Sequence, residues 1–169
     1  EVTDNFFTSL AQRETQHVTD DMAKVRAWFS LLGGFTDIER LLRRVMAGSG
    51  LNLPRFDILL LLSHHAEGLN MSELAKQLVV SKGNVTGVVR HLESDGLVVR
   101  VADQGDRRIQ TVRLTDKGRL EFEANYEKYV ATIVGAFKQL SSEDIEFLTR
   151  IMLKVAAGGR LGEDCHDRS

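Results

Sequence analysis

The sequence predicts a mainly α protein that carries one small β-hairpin, an α+β chain, and three observations predict it. Apolar residues recur at steps of three or four through the first and last thirds of the chain, which marks long amphipathic helices. Between residues 97 and 114, two short runs rich in Val and Ile flank a polar, Gly-containing stretch, which marks a hairpin. One proline, Pro54, and no Ser/Gly-rich tract leave no linker or repeat to divide the chain.

The elements follow in order. The first 16 residues hold an apolar cluster at Phe6, Phe7 and Leu10, expected as a short helix or swapped arm. From about Thr19 to Ala47, Met22, Val25, Phe29, Leu32, Phe35, Ile38, Leu42 and Val45 form one stripe of a long helix. Gly33-Gly34 falls inside it and costs about 2 kcal/mol relative to two alanines, so a kink or a close backbone approach is expected there. Pro54 opens the next helix where its missing N–H does no harm, and that helix runs through Ile58–Leu62 to about His65 and the Gly68 turn. Ser72 is expected to cap a short helix to Leu78. Ser81 caps a second one to about Ser94, stopped by Gly96.

Leu97 to Val101 and Ile109 to Leu114 then read as two strands joined by seven residues. Thr115 caps a long helix striped by Phe122, Tyr126, Tyr129, Ile133, Phe137 and Leu140. Ser141, with Asp144 three residues on, starts the last helix, whose core face is Ile145, Leu148, Met152 and Val155. Beyond Gly158 a polar, disordered tail is expected.

Composition narrows the function classes. With 169 residues, 43% hydrophobic and 27% charged, the chain is long and apolar enough to bury a core. Its net charge of −2 gives no global sign of a nucleic-acid partner. Locally, residues 71–118 hold eight Lys/Arg against six Asp/Glu, a small excess on a mildly acidic body. Cys165 is the only cysteine, so no internal disulfide forms and a reducing compartment fits. No apolar run approaches the ~20 residues of a membrane span and no signal-peptide pattern is read, so a cytoplasmic protein without membrane contact is expected.

The segment from Met71 to Leu92 has the logic of a helix-turn-helix. Leu74, Ala75 and Leu78 pack inward on the first helix, and Val85, Val88, Val89 and Leu92 supply the buried face of the second. The remaining face bears Ser81, Lys82, Asn84, Thr86, Arg90 and His91. Lys82 and the helix dipole favour phosphate, while Asn84 and Thr86 suit base edges. A solvated helix face is the plainer alternative for these residues alone.

With the hairpin included, the chain strongly resembles the MarR family of winged helix-turn-helix regulators over roughly residues 35–150. The resemblance lies in Ser72-Glu73-Leu74-Ala75, in Val85 through Val98, in Gly105-Asp106-Arg107-Arg108, and in Leu114-Thr115-Asp116-Lys117-Gly118. It implies a winged helix-turn-helix with N- and C-terminal helical dimerisation regions, a two-fold homodimer, and double-stranded operator DNA as partner. The implied parts are N-terminal dimerisation helices and part of an effector pocket at 1–53, the DNA-binding lobe at 54–118, C-terminal dimerisation helices at 119–158, and the tail at 159–169. In the wing the resemblance makes Asp106 the orienter of Arg108, a minor-groove probe, with Arg107 on phosphate. A narrow minor groove favours an inserted arginine on electrostatic grounds too.

The resemblance also implies a small-molecule effector and no fixed cofactor. Lining candidates are Trp28, Phe35, Ile38, Leu42, Phe56, His64 and His65. Arg40, Arg43 and Arg44 are close enough on one helix to attract an anion, such as an aromatic acid or its CoA thioester. Aromatics as core and arginines as a solvated face are the plainer alternative. The expected activity is therefore a repressor released by an effector. Other readings have less support. A metal sensor needs a ligand cluster, whereas His64 and His65 face different ways and Cys165-His166 lies in the tail. A redox sensor needs an activated thiolate, whereas Cys165 sits among Glu163, Asp164 and Asp167. An enzyme lacks its phosphate loop, paired carboxylates and nucleophile triad, so no catalytic residue is assigned. A helical dimerisation adaptor remains, and it predicts no salt-dependent DNA affinity.

Overall fold

Most elements begin where a side chain takes up the free N–H groups of a first helical turn. The computed structural model describes residues 20–78, 81–102 and 110–166, with residues 20, 82 and 159–166 as backbone alone. Helix α1 (Asp20–Ala47) runs unbroken through Gly33-Gly34. Gly33 is buried, while the place of a Cβ on Gly34 meets open space. Helix α2 (Leu53–Ser63) is capped by Asn52, whose Oδ1 accepts from the Arg55 N–H at 3.1 Å, and Pro54 sits in its first turn.

Two details, in the sheet and in the helix after its first strand, differ from the sequence pattern, and the helix expected to run through Phe137 and Leu140 ends at Ala136. The wing sheet has three strands, not two: β1 (Leu69–Asn70), β2 (Val98–Ala102) and β3 (Gln110–Leu114), in the order β1-β3-β2 and all antiparallel. Leu69 pairs with Val112, and Val98 with Leu114. The extra strand depends on Gly68, at φ 78°, because a Cβ there would strike the Val112 carbonyl. The cap of α3 (Met71–Leu78) is Asn70 rather than Ser72. Asn70 Oδ1 accepts from the Ser72 and Glu73 N–H groups at 2.9 and 3.0 Å, and Glu73 Oε2 accepts from the Asn70 N–H at 2.7 Å. This reciprocal pair satisfies both ends of the turn, so the helix starts earlier than Ser72 alone would allow.

Helix α4 (Lys82–Ser94) starts at its expected cap, Ser81, whose Oγ accepts from the Asn84 N–H at 3.3 Å. It ends before Gly96, at φ 72°. Helix α5 (Asp116–Ala136) is capped by Thr115, whose Oγ1 accepts from the Gly118 N–H at 3.0 Å. The buried core joins Leu42 and Met46 of α1 to Phe56, Ile58, Leu59 and Leu62 of α2, Leu74 of α3, Val85, Val89 and Leu92 of α4, and Val112 of β3. It therefore sits directly behind α4 and the sheet, and removing the side chain of fully buried Phe56 would cost about 3–5 kcal/mol.

Packing divides the chain into two compact units, residues 1–133 and 134–169. In the second, α6 (Ser142–His166) opens on the expected capping box: Asp144 N–H donates to Ser141 Oγ, while the Ser141 N–H and hydroxyl donate to Asp144 Oδ2 at 2.9 and 2.7 Å. Those bonds hold the Asp144 carboxyl below its usual range. Helix α6 continues past Gly158 to His166, where the composition suggests a disordered tail. A long preceding helix propagates across Gly158-Gly159, because extension is far easier than nucleation. Its apolar residues Phe147, Leu153 and Val155 are exposed in the single chain. The apolar cluster at Phe6, Phe7 and Leu10 lies outside the described residues.

Candidate nucleic-acid interface

Helix α4 has two faces set by its periodicity. Val85, Val89 and Leu92 are buried against α2 and α3, which anchors the helix and fixes what it presents outward. Ser81, Asn84, Arg90 and His91 are exposed. Asn84 and His91 lie two turns apart on one face. Arg90 sits about 120° round from Asn84, and half-buried Thr86 about 160° round, so the helix does not gather all four on one stripe. Lys82 occupies the first turn, as backbone alone. Gly83 and Gly87 have open space around their Cβ positions, which leaves the start and middle of the helix slim.

The sheet meets this helix through an ion pair the sequence does not reveal. Arg100 Nε on β2 pairs with Glu93 Oε2 on α4 at 3.1 Å, and Arg113 Nη2 on β3 pairs with Glu67 Oε2 before β1 at 3.0 Å. Arg100 is half-buried and Glu93 exposed, so the pair is partly screened by solvent and holds the wing base only modestly. Asp106, Arg107 and Arg108 fall between Ala102 and Gln110, outside the described residues. The strands leading to and from them are paired along their whole length, from Val98↔Leu114 to Ala102↔Gln110.

The effector candidates differ in their exposure. Trp28 and Phe35 are 56% and 62% exposed on α1, whereas Phe56 is wholly buried. The ring partners of Phe56 are Phe122 and Tyr129 of α5, at centroid distances of 5.6 and 4.8 Å, and Tyr126 follows Phe122 at 5.2 Å. Arg40 is paired with Asp37 at 2.8 Å and Arg43 with Glu39 at 2.6 Å, while Arg44 is exposed. His64 is exposed and His65 half-buried.

Sequence patterning missed Asp57, which lies beside Phe56. Burial pushes its carboxyl up to about 6; Arg43 pulls it down and Glu39 pushes it up. The Tyr129 hydroxyl is also raised, by burial first and then by the Asp57 charge. The stripe of Phe122, Tyr126 and Tyr129 is visible in the sequence, but Phe56 as its partner across more than sixty residues is not. Among the described residues no group of three His, Cys, Asp or Glu side chains could hold a metal ion. Cys165 and His166 are described as backbone alone. No described helix is long and apolar enough to cross a membrane.

Comparison with known proteins adds four findings. Residues 49–109, from the α1–α2 turn to the wing, match the family model described as MarR family. The chain is 33% identical over 107 residues to the HTH-type transcriptional regulator YkoM of Bacillus subtilis, covering 63% of this chain and 68% of that one. It is 31% identical over 118 residues to the transcriptional activatory protein BadR of Rhodopseudomonas palustris, covering 66% of each. The chain thus spans about two thirds of the length of the curated relatives it matches. Its fold is similar to that of Sco3205, a MarR family regulator of Streptomyces coelicolor solved in complex with DNA, with TM-score 0.74, 28% identity, and coverage of 86% of this chain and 91% of that one.

Proposed function

The chain belongs to the MarR family of transcriptional regulators, and on that premise we propose that it binds operator DNA as a homodimer and represses transcription until a small molecule releases it. The observation that carries this reading is α4 itself: one face is buried, its polar N-terminal end is exposed, and Glu93 ties it to the wing. In the DNA complex Asn84 reads base edges from the major groove and Thr86 reaches them from the opposite edge of the outward face, while Lys82, Ser81 and Arg90 contact phosphates together with the N–H groups of the first turn. Asp106 orients Arg108 into the minor groove, and Arg107 holds the backbone.

Residues 54–118 form the DNA-binding lobe in this reading, and 1–53 and 119–158 the dimer scaffold. Exposed Ile145, Leu148 and Val155, which share one stripe of α6, support the scaffold role, since an exposed apolar stripe marks a contact surface. Repression is the proposed sign because occupancy of a promoter suffices for it, although the relative BadR is named an activatory protein. The proposed effector is an aromatic acid or its CoA thioester. Its ring would meet the half-buried Phe122 and Tyr129, which pack on Phe56, and its anion would draw Arg40 or Arg43 from Asp37 or Glu39. A cytoplasmic location completes the proposal.

Footprinting on DNA selected from a random pool tests it. Two protected half-sites related by two-fold symmetry, about one helical turn apart, are expected. A single protected half-site would remove the dimer, and no protection at all would remove the DNA-binding reading.

A further inference from the structure

The C-terminal end of α4 is held from outside as well as capped from within. Its own cap is complete: the Asp95 and Gly96 N–H groups donate to the His91 and Glu93 carbonyls, each at 3.0 Å, and the Leu97 N–H donates to the Leu92 carbonyl at 2.9 Å. Four further bonds reach the same turn from α2 and α5. The Asp95 carboxylate accepts from Arg55 Nη2 of α2. The Asp95 carbonyl accepts from Lys117 Nζ at 2.7 Å, the Gly96 carbonyl from Thr115 Oγ1 at 2.7 Å, and the Leu97 carbonyl from the Thr115 N–H at 3.1 Å. Gly118 lies flush against this turn, where a Cβ would strike the Leu97 carbonyl.

None of these added bonds is needed to stop the helix, and all of them fix its direction. We propose that Arg55, Thr115 and Lys117 are positioning residues that set the angle of α4 on α2 and α5 and thereby decide which half-site spacings the dimer accepts. This rests on the DNA-binding reading above. Leverage makes the turn sensitive: Asn84 lies about 16 Å along the helix from Asp95. A tilt of about 10° at the turn moves Asn84 by about 3 Å, far more than a base-edge hydrogen bond tolerates. One inserted base pair shifts a half-site by about 3.4 Å and turns it by about a tenth of a helical turn, a mismatch that a firmly held helix cannot follow.

The test uses the full chain, DNA selected by the wild type, and versions of that site with one base pair inserted or removed at its centre. Binding is measured by fluorescence anisotropy for wild type, Lys117→Met and Lys117→Arg. The wild type should lose about tenfold or more on either altered spacing. Lys117→Met, with melting temperature and dimer mass unchanged, should weaken about three- to tenfold on the original site, and its spacing penalty should shrink to about threefold. Lys117→Arg should restore the penalty. Equal weakening of Lys117→Met on all spacings, or no change on any, overturns the positioning role. Absence of any preferred site for the wild type overturns the DNA reading and the positioning role with it.

Discussion

Replacing Gly118 by alanine sets helix propensity against packing. Propensity alone predicts stabilisation of about 1 kcal/mol, because alanine is the better helix former. The structure predicts the opposite sign. A Cβ on Gly118 would overlap the Leu97 carbonyl oxygen, and it would meet the Leu97 carbonyl carbon at 2.8 Å and Leu114 Cδ2 at 3.3 Å. The obstacle is backbone, so relief requires α5 to move off the turn after α4. Overpacking of this kind costs about 1–3 kcal/mol. Moving away also strains the Thr115 N–H bond to the Leu97 carbonyl, worth about 1 kcal/mol. Set against the propensity gain, the net cost is about 2 kcal/mol, or a melting temperature lower by about 4–8 °C in a chain of this size. Urea unfolding at fixed protein concentration reads it, with Gly87→Ala as the contrast. Gly87 has open space around its Cβ position within α4, so that variant should gain about 0.5–1 kcal/mol. A Gly118→Ala protein as stable as wild type or more so would refute the close approach of α5 to Leu97.

Other outcomes follow from the site. Asp57 holds its proton to about pH 6 in the folded chain against an ordinary 3.8, so the folded state binds more protons between those values. Its contribution is most favourable below about pH 4 and is lost as pH rises to about 6, by about 2 kcal/mol once solvent screening is allowed for. Asp57→Asn should remove that slope in urea unfolding between pH 4 and 7, and an unchanged slope would mean that Asp57 is not the titrating group. Asn84→Ala should flatten base preference in competition binding more than Arg90→Ala does, and the reverse ranking would exchange their roles in readout and phosphate contact. Arg108→Ala should weaken operator binding by about 1–3 kcal/mol while sedimentation still shows a dimer; full affinity would take the wing out of the mechanism.

Local signals in the sequence found local features. Ser81 and Gly96 bracket α4 because a cap and a left-handed stop act within a turn of themselves, and Ser141 with Asp144 announces α6 for the same reason. Strand β1 escaped because two residues are too short to show alternation, and its pairing depends on Gly68 meeting Val112 far along the chain. At α3 two capping residues compete, and Asn70 wins through its exchange with Glu73. The largest gap lies in long-range bonds. Arg55 to Asp95, Lys117 to Asp95 and Arg100 to Glu93 join elements whose proximity exists only after folding, so composition and periodicity carry no trace of them. The aromatic group around Phe56 was half legible: the stripe on α5 shows in the sequence, its partner does not. Trp28 and Phe35 read as candidate lining residues by type, and both stand exposed on α1 in the single chain.

The central claim is that α4 and the wing form a DNA-reading surface. The most direct test is titration of the full chain onto selected DNA and onto scrambled competitor at about 50 and 200 mM salt. The account predicts nanomolar or tighter, sequence-preferring binding at low salt, with affinity falling about a thousandfold or more between the two conditions as phosphate counterions return. Micromolar binding that neither distinguishes the two sequences nor responds to salt would contradict it and favour a scaffold whose partner is another protein.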